Sequence, residues 1–282
     1  MIPSFLLSLR EGFEAALILG IVFSALDKIN RRHLTPMVWG GAVAAAALSI
    51  IAAGFLYSLG ARIEGQAEAI FEGLGMLIAA ILLTWMIFWT RRQARVFAGE
   101  IEGNVVHAAT SGGGRAMFLL AFITISREGL ELALFLVIST FNSNGLQTVL
   151  GAVAGLITAA FLGFVLFSTT RRLNLRRFFF ITSLLLILFS AGLVAQSVHE
   201  FIEAGTMPSI IGHVWDINRF LDKDSALGIV LHSLLGYNGS PSLVEVLAYL
   251  GYFLFVGSLF RIFALPVGKS VRINGVVKTS SK

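Results

Sequence analysis

Seven stretches of this chain are each long enough to cross a bilayer and almost free of charge, and that pattern leaves few folds open. A spanning helix needs about 20 mainly apolar residues. Pro3–Leu26, Pro36–Leu59, Ala69–Thr90, Ala116–Thr140, Leu146–Thr170, Phe178–Val198 and Leu243–Leu265 meet that requirement. Charged residues are 13% of the 282 and apolar ones 56%, against ~25% charged in an ordinary soluble domain. A soluble fold of this length has too little interior to hide so much apolar side chain. The expectation is an all-α polytopic membrane protein with seven transmembrane helices. The first and fourth spans carry charges at mid-length, so they should be the least apolar. No basic residue precedes Arg10, which is unlike a cleavable signal peptide, so the first apolar segment is expected to stay as a span.

Lys and Arg counts orient the chain. The loops and span ends on one side hold 16 of the 21 and those on the other side 3, with Arg10 and Arg127 deep inside spans. This predicts an outside N-terminus, a cytoplasmic C-terminus and residence as a multi-pass protein of the cell (inner) membrane. Residues 1–265 read as a single transmembrane domain: 1–90 and 116–205 as three-helix repeats, 243–265 as a seventh helix, and 266–282 as a basic cytoplasmic tail. The net charge of +5 is spread over interhelical loops, which fits contact with membrane lipid rather than nucleic acid. With no cysteine, disulfides and thiolate metal sites are excluded.

In the fifth span small residues recur every fourth position, at Gly151, Gly155, Ala159 and Gly163, the spacing that lets helices approach closely in lipid. Ser111-Gly-Gly-Gly-Arg115 lacks the Lys-Ser/Thr of a phosphate loop and reads as a linker between loops. Ser242-Leu-Val-Glu245 reads as a capping box, which discounts Glu245 as a ligand. The long outer segment 200–242 reads as a solvated loop or lid. His33, His107, His213 and His232 read as loop histidines.

The chemistry lies in a pattern that occurs twice. The first span holds Arg10-Glu11-Gly12-Phe13-Glu14 and the fourth Arg127-Glu128-Gly129-Leu130-Glu131. Each sits roughly 15–20 Å along its helix at 1.5 Å per residue, near the middle of a ~30 Å core. On a helix the two glutamates share a face, and the arginine stands one turn from the second. Each motif can therefore offer two carboxylates to one ion, with an arginine partly balancing them. The glycine removes a side chain where a helix or an ion must come close. A buried charge at mid-span costs about 2.5–3.5 kcal/mol on insertion scales, and six such residues in two equal spacings are a heavy expense for mere packing.

The two motif helices run in opposite directions. Spans one to three and four to six thus form an expected 3+3 inverted repeat with the substrate at midplane, and the seventh span stands apart. Four carboxylates without thiol or mid-span histidine make a hard oxygen site. Four glutamates and two arginines sum to −2, so metal entry is expected to expel protons held by the empty site. From the residues alone, another hard cation such as manganese remains open. So does an intramembrane glutamate-dependent enzyme, although no nucleophile stands with the glutamates.

The paired motifs REGFE and REGLE, the LTWMIFW run at Leu83–Trp89 and the GYNGSPSLVEV stretch at Gly236–Val246 resemble the oxidase-dependent iron transporter family, which includes bacterial ferrous and ferric iron permeases. The likeness covers essentially the whole chain; Phe13 stands where the family often has Leu, and both are apolar. The resemblance implies a permease rather than an enzyme. It implies iron, Fe³⁺ or Fe²⁺, as transported substrate with no bound organic cofactor, and Glu11, Glu14, Glu128 and Glu131 as its ligands. Arg10 and Arg127 would be ion-pair or gating residues. Relatives by fold could carry manganese or lead. The implied partners are an extracytoplasmic iron-binding protein and an iron oxidase or peroxidase, with a homo-oligomer as a further option.

A second acidic group is expected at the outer surface. Glu64, Glu68 and Glu72 are spaced four apart at the start of the third span, and His199, Glu200 and Glu203 end the sixth. Together they could collect cations above the midplane. Glu72 lies inside an apolar run, and Glu203 sits where the helix dipole disfavours it, so these two are the strongest members.

Overall fold

The computed structural model describes residues 1–60, 65–93, 97–141, 145–168, 175–208 and 236–264, with 211, 214, 215, 228, 231 and 232 between the last two segments. Glu64, His213, about half of the long segment 200–242 and the C-terminal tail lie outside the described residues. Within them the long elements are α1 (Ile2–Lys28), α2 (Thr35–Gly60), α3 (Gln66–Gln93), α4 (Phe97–Ser111), α5 (Gly113–Phe141), α6 (Gly145–Ser168), α7 (Leu175–Glu203) and α8 (Leu243–Ala264). A 3₁₀ turn at Arg32–Leu34 precedes α2, and no strand occurs among the described residues.

Among the described residues, five helical segments are long and apolar enough to cross a membrane: Arg32–Gly60, Gln66–Trp89, Gly145–Phe167, Arg177–Glu203 and Leu243–Ile262. The motif helices α1 and α5, at 27 and 29 residues, have the length (roughly 40 Å each) but carry the motif charges. The outward faces are those of a protein in lipid: Ile50 on α2, Phe164 on α6 and Leu254 on α8 are each more than 70% exposed. Water would penalise such large apolar surfaces, whereas hydrocarbon does not.

Packing follows a reciprocal scheme. α1 lies along α6, α2 along α5 and α3 along α7, while α1 crosses α5. Lesser contacts join α3 to α5 and α1 to α7. Exchanging α1, α2 and α3 for α5, α6 and α7 turns each of these pairings into another of the same set. α8 stands outside the scheme and packs on α7, with Tyr252 Oη 2.8 Å from Thr84 Oγ1 of α3.

The small residues of α6 are spent on α1. A methyl group at Gly155 would stand 2.5 Å from the Phe5 carbonyl oxygen and 2.8 Å from Ser8 Cβ, and one at Gly163 would stand 2.7 Å from Ala16 Cβ. Ser4, Ser8, Gly12, Ala16 and Gly20 supply a matching stripe on α1. In lipid there is no hydrophobic force between helices, so this close backbone approach carries the association.

One element departs from the expectation. Residues 91–115 read as a loop with a glycine linker, yet α4 runs through most of it and His107 is an exposed helical residue. Its apolar stripe is narrow (Ile101, Val105 and Ala109), and Gly99 and Gly103 lower its propensity. Docking forms the helix: the stripe packs on Ile18, Val22, Ala25 and Leu26 of α1 and on Met117 and Ala121 of α5. The linker shrinks to a break at Gly112, after which Gly113 takes φ +58°, a backbone state open mainly to glycine.

Candidate metal centre

The crossing of α1 and α5 places the two motifs against each other. One carboxylate oxygen from each of Glu11, Glu128 and Glu131 lies within 4.8 Å of the other two. It is the one such convergence of His, Asp or Glu ligand atoms among the described residues. Glu11 is 1% exposed and Glu128 6%. Glu11 Oε2 is buried without a hydrogen-bond partner, whereas Glu14 Oε1 is buried with the Arg10 ion pair as its contact. A carboxylate oxygen left over in a low-dielectric interior is costly unless a cation or proton reaches it.

The arginines are set differently. Arg10 is fully buried; its Nη1 lies 3.4 Å from Glu11 Oε1 and its Nη2 3.3 Å from Glu14 Oε1. The same Nη1 donates to Met86 Sδ of α3 at 2.9 Å. Arg127 Nε donates to Glu131 Oε1 at 3.1 Å, the i,i+4 pair within its motif, but the Arg127 side chain is 49% exposed. Equal sequence spacing thus gives one enclosed guanidinium and one open one.

The motif glycines serve helix approach. A methyl group at Gly12 would stand 2.9 Å from Leu156 Cδ2 and 3.0 Å from Ala159 Cβ of α6, and one at Gly129 would run into the Ser49 hydroxyl of α2. Each motif turn therefore shows carboxylates to the other motif and bare backbone to its packing partner. A cavity of about 290 Å³ lies between α1, α2, α5 and α6 and reaches Glu11, Gly12, Ser49, Glu128, Gly129 and Leu156.

The pairing of α3 with α7 gathers the second acidic group. Glu72 is within electrostatic reach of Glu68, Glu200 and Glu203, and Gly73 allows α7 to come close at Glu200 and Phe201. Their oxygens do not converge as those of Glu11, Glu128 and Glu131 do. His199 is turned aside: its Nδ1 is 3.1 Å from Glu245 Oε1. Glu245 also accepts from Asn238 Nδ2 and Ser242 Oγ, each at 2.9 Å, while Ser242 Oγ accepts the Glu245 N–H at 3.3 Å. The Ser242 Oγ contact with the Glu245 N–H is the N-cap half of the capping box expected at the start of α8, and the Glu245 carboxylate extends it into a bracket between α7 and α8. His232 Nδ1 lies 2.8 Å from the Tyr237 carbonyl oxygen, a local turn contact.

Sequence reasoning missed Met86 and Ser49. Met86 sits inside the quoted LTWMIFW run, but nothing in one sequence says which of its residues faces the motif helices.

Against known proteins, the model of the iron permease FTR1 family matches residues 1–273. The ferrous iron permease EfeU of Shigella sonnei (strain Ss046) is 35% identical over 268 residues, covering 94% of this chain and 96% of that protein. EfeU of Escherichia coli O157:H7 gives the same figures. EfeU of Yersinia pestis is 32% identical over 268 residues, 94% of each chain. No solved structure matches the chain.

Proposed function

The chain belongs to the iron permease FTR1 family, a family of multi-pass membrane transporters rather than enzymes, and from that premise we propose that it imports iron through the α1–α5 crossing. The observation that carries this reading is the convergence of Glu11, Glu128 and Glu131 from two separate motifs. Three or four carboxylates suit a hard cation, and the unpartnered Glu11 oxygen is available to one. The motif glutamates Glu11, Glu14, Glu128 and Glu131 are the ligand set, and Arg10 and Arg127 reduce its charge from −4 to −2.

In this reading α1 and α5 span the bilayer with the five apolar segments, giving seven spans with the N-terminus outside. Three facts support it: both helices have spanning length, both are enclosed by apolar spans, and the loop charges are strongly one-sided. The reciprocal packing supports a 3+3 inverted repeat with α8 added and α4 on the cytoplasmic face. Glu68, Glu72, Glu200 and Glu203 form an outer collecting group. An inside-negative potential favours entry by about 2.3 kcal/mol per charge per 100 mV, roughly 7 for a trivalent ion. An extracytoplasmic iron-binding protein would deliver the metal, and a separate oxidase or peroxidase would set its valence.

The test is radioactive iron uptake into proteoliposomes, with Fe²⁺ and Fe³⁺ supplied separately and Mn²⁺ as competitor. Glu11→Gln and Glu128→Gln should each abolish uptake, and the active form of iron names the valence. Uptake indifferent to both substitutions would remove the ion path from the motifs.

A further inference from the structure

The cavity between α1, α2, α5 and α6 is larger than an ion needs, and most of its wall could not hold one. Its volume of about 290 Å³ is at the small end of ordinary small-molecule sites, about 300–1,000 Å³. Ala15, Ile50, Ala53, Ile125, Leu132 and Leu136 supply apolar walls, which give a metal ion nothing to coordinate. Glu11, Glu128 and Ser49 make a polar end. We infer that this cavity is a binding site in its own right. It takes a compact apolar molecule bearing a protonated amine, admitted from the lipid between α2 and α6.

The polar end selects the amine because it only accepts. The Ser49 hydroxyl gives its proton to the Ala45 carbonyl oxygen at 2.9 Å, so it shows a guest its lone pairs. Glu11 Oε2 is buried without a hydrogen-bond partner. Among the described residues lining the cavity there is no Lys, Arg, His, Asn, Gln, Trp or Tyr to donate. An anion, ketone or ether finds no partner there. An ammonium group donates to carboxylates in short, charge-assisted bonds. An amine that arrives uncharged takes up a proton held by the glutamates and forms the same pair.

The walls and the rim select the rest of the molecule. Apolar area withdrawn from water favours binding in proportion to its size, so a cage or ring fits where a hydrated polyamine does not. Ile50 and Leu156 line the cavity yet are 73% and 42% exposed, on faces that look to hydrocarbon, and a guest can enter there without using the ion path. A lipid tail could lie along the same walls, but it would leave Glu11 Oε2 as unpaired as before. Amine and iron exclude each other if the motifs hold the ion, as proposed above; the amine site itself stands without that reading.

The test is binding of tritiated aminoadamantane to the full-length protein in lipid nanodiscs, with empty nanodiscs as the blank. Adamantanol, which keeps the cage and replaces the amine by a hydroxyl, is the competitor. The amine should bind saturably, and the alcohol about 10-fold or more weakly. Ala53→Leu and Ala46→Leu crowd the cavity from α2, away from the motifs. Each should weaken amine binding about 10-fold or more and leave iron binding within a few-fold of wild type. Ile50→Trp, on the lipid face, carries the same expectation if the leucine variants are not monodisperse. Equal binding of alcohol and amine would reduce the cavity to a crevice for lipid tails and overturn the proposal. So would wild-type amine binding by the monodisperse wall variants. Fe²⁺ added to the same nanodiscs should displace the amine. An amine that responds to the wall variants but ignores iron would keep the site and remove iron from Glu11 and Glu128. Iron binding lost in Glu11→Gln with Glu128→Gln, with no amine bound by wild type, would remove the amine site alone.

Discussion

Arg10 of α1 donates to the thioether sulfur of Met86 on α3 at 2.9 Å, a contact between residues 76 positions apart that fixes the enclosed guanidinium beside the carboxylate cluster. Sulfur is a weak acceptor, and it shares Nη1 with Glu11 Oε1 at 3.4 Å. Met86→Leu keeps the volume and removes the acceptor. It should lower stability by about 1–3 kcal/mol, the scale of a hydrogen bond to a charged group, and reduce iron uptake. Met86→Ala should cost about 2–5 kcal/mol because it also leaves a cavity. Thermal unfolding in detergent alongside the uptake assay checks both; equal stability of the Leu variant and wild type would dismiss the sulfur contact.

The close approach of α1 and α6 predicts a ranking among glycines. At Gly12 and Gly129 an added methyl group meets side chains first, Leu156 and Ser49 respectively, which can shift. At Gly155 it meets the Phe5 carbonyl oxygen at 2.5 Å, backbone that cannot. Gly155→Ala should therefore destabilise more than Gly12→Ala, which should cost about 1–3 kcal/mol as ordinary overpacking does. Ser49→Ala should recover part of the loss caused by Gly129→Ala. Melting temperatures and monodispersity of the series give the order.

Docking of α4 can be read chemically because the chain has no cysteine of its own. Val105 is fully buried against α1 and α5, whereas His107 on the same helix is exposed. A maleimide should label His107→Cys rapidly and Val105→Cys slowly. Equal labelling would mean that α4 does not rest on the motif helices. The Lys28–Glu102 pair at 2.8 Å also joins α4 to α1, but both side chains are more than 40% exposed. Its removal should change stability by no more than about 1 kcal/mol.

The His199–Glu245 contact predicts unequal variants. Glu245 accepts from Ser242, Asn238 and His199, so Glu245→Ala strands several donors and should cost about 1–3 kcal/mol. His199→Ala removes a half-exposed partner and should cost less. If His199 serves the bracket rather than the ion, His199→Ala should leave iron affinity within a few-fold of wild type, while Glu72→Gln lowers uptake at dilute iron. Unfolding and concentration-dependent uptake separate the two roles.

Much of the architecture was legible in the residues because bilayer thickness imposes a length and an apolarity that each span must satisfy alone. The five apolar spans, the weak apolarity of the two motif helices and the capping box at Ser242–Glu245 follow from local pattern. Family membership followed from the paired motifs and the stretches around them. α4 was not legible: three apolar positions and two glycines do not make a helix until α1 and α5 offer a surface to cover.

The site divides along the same line. Helical spacing alone places Glu11 with Glu14, and Glu128 with Glu131, on shared faces near mid-span. Only the tertiary structure decides that three of these carboxylates converge, that Arg10 is sealed against Met86 and that Arg127 is left half open. Those outcomes depend on which helix lies beside each motif, and an identical pentapeptide pattern holds no information about its neighbours. The local period is a property of one helix, whereas burial is a property of the helices around it.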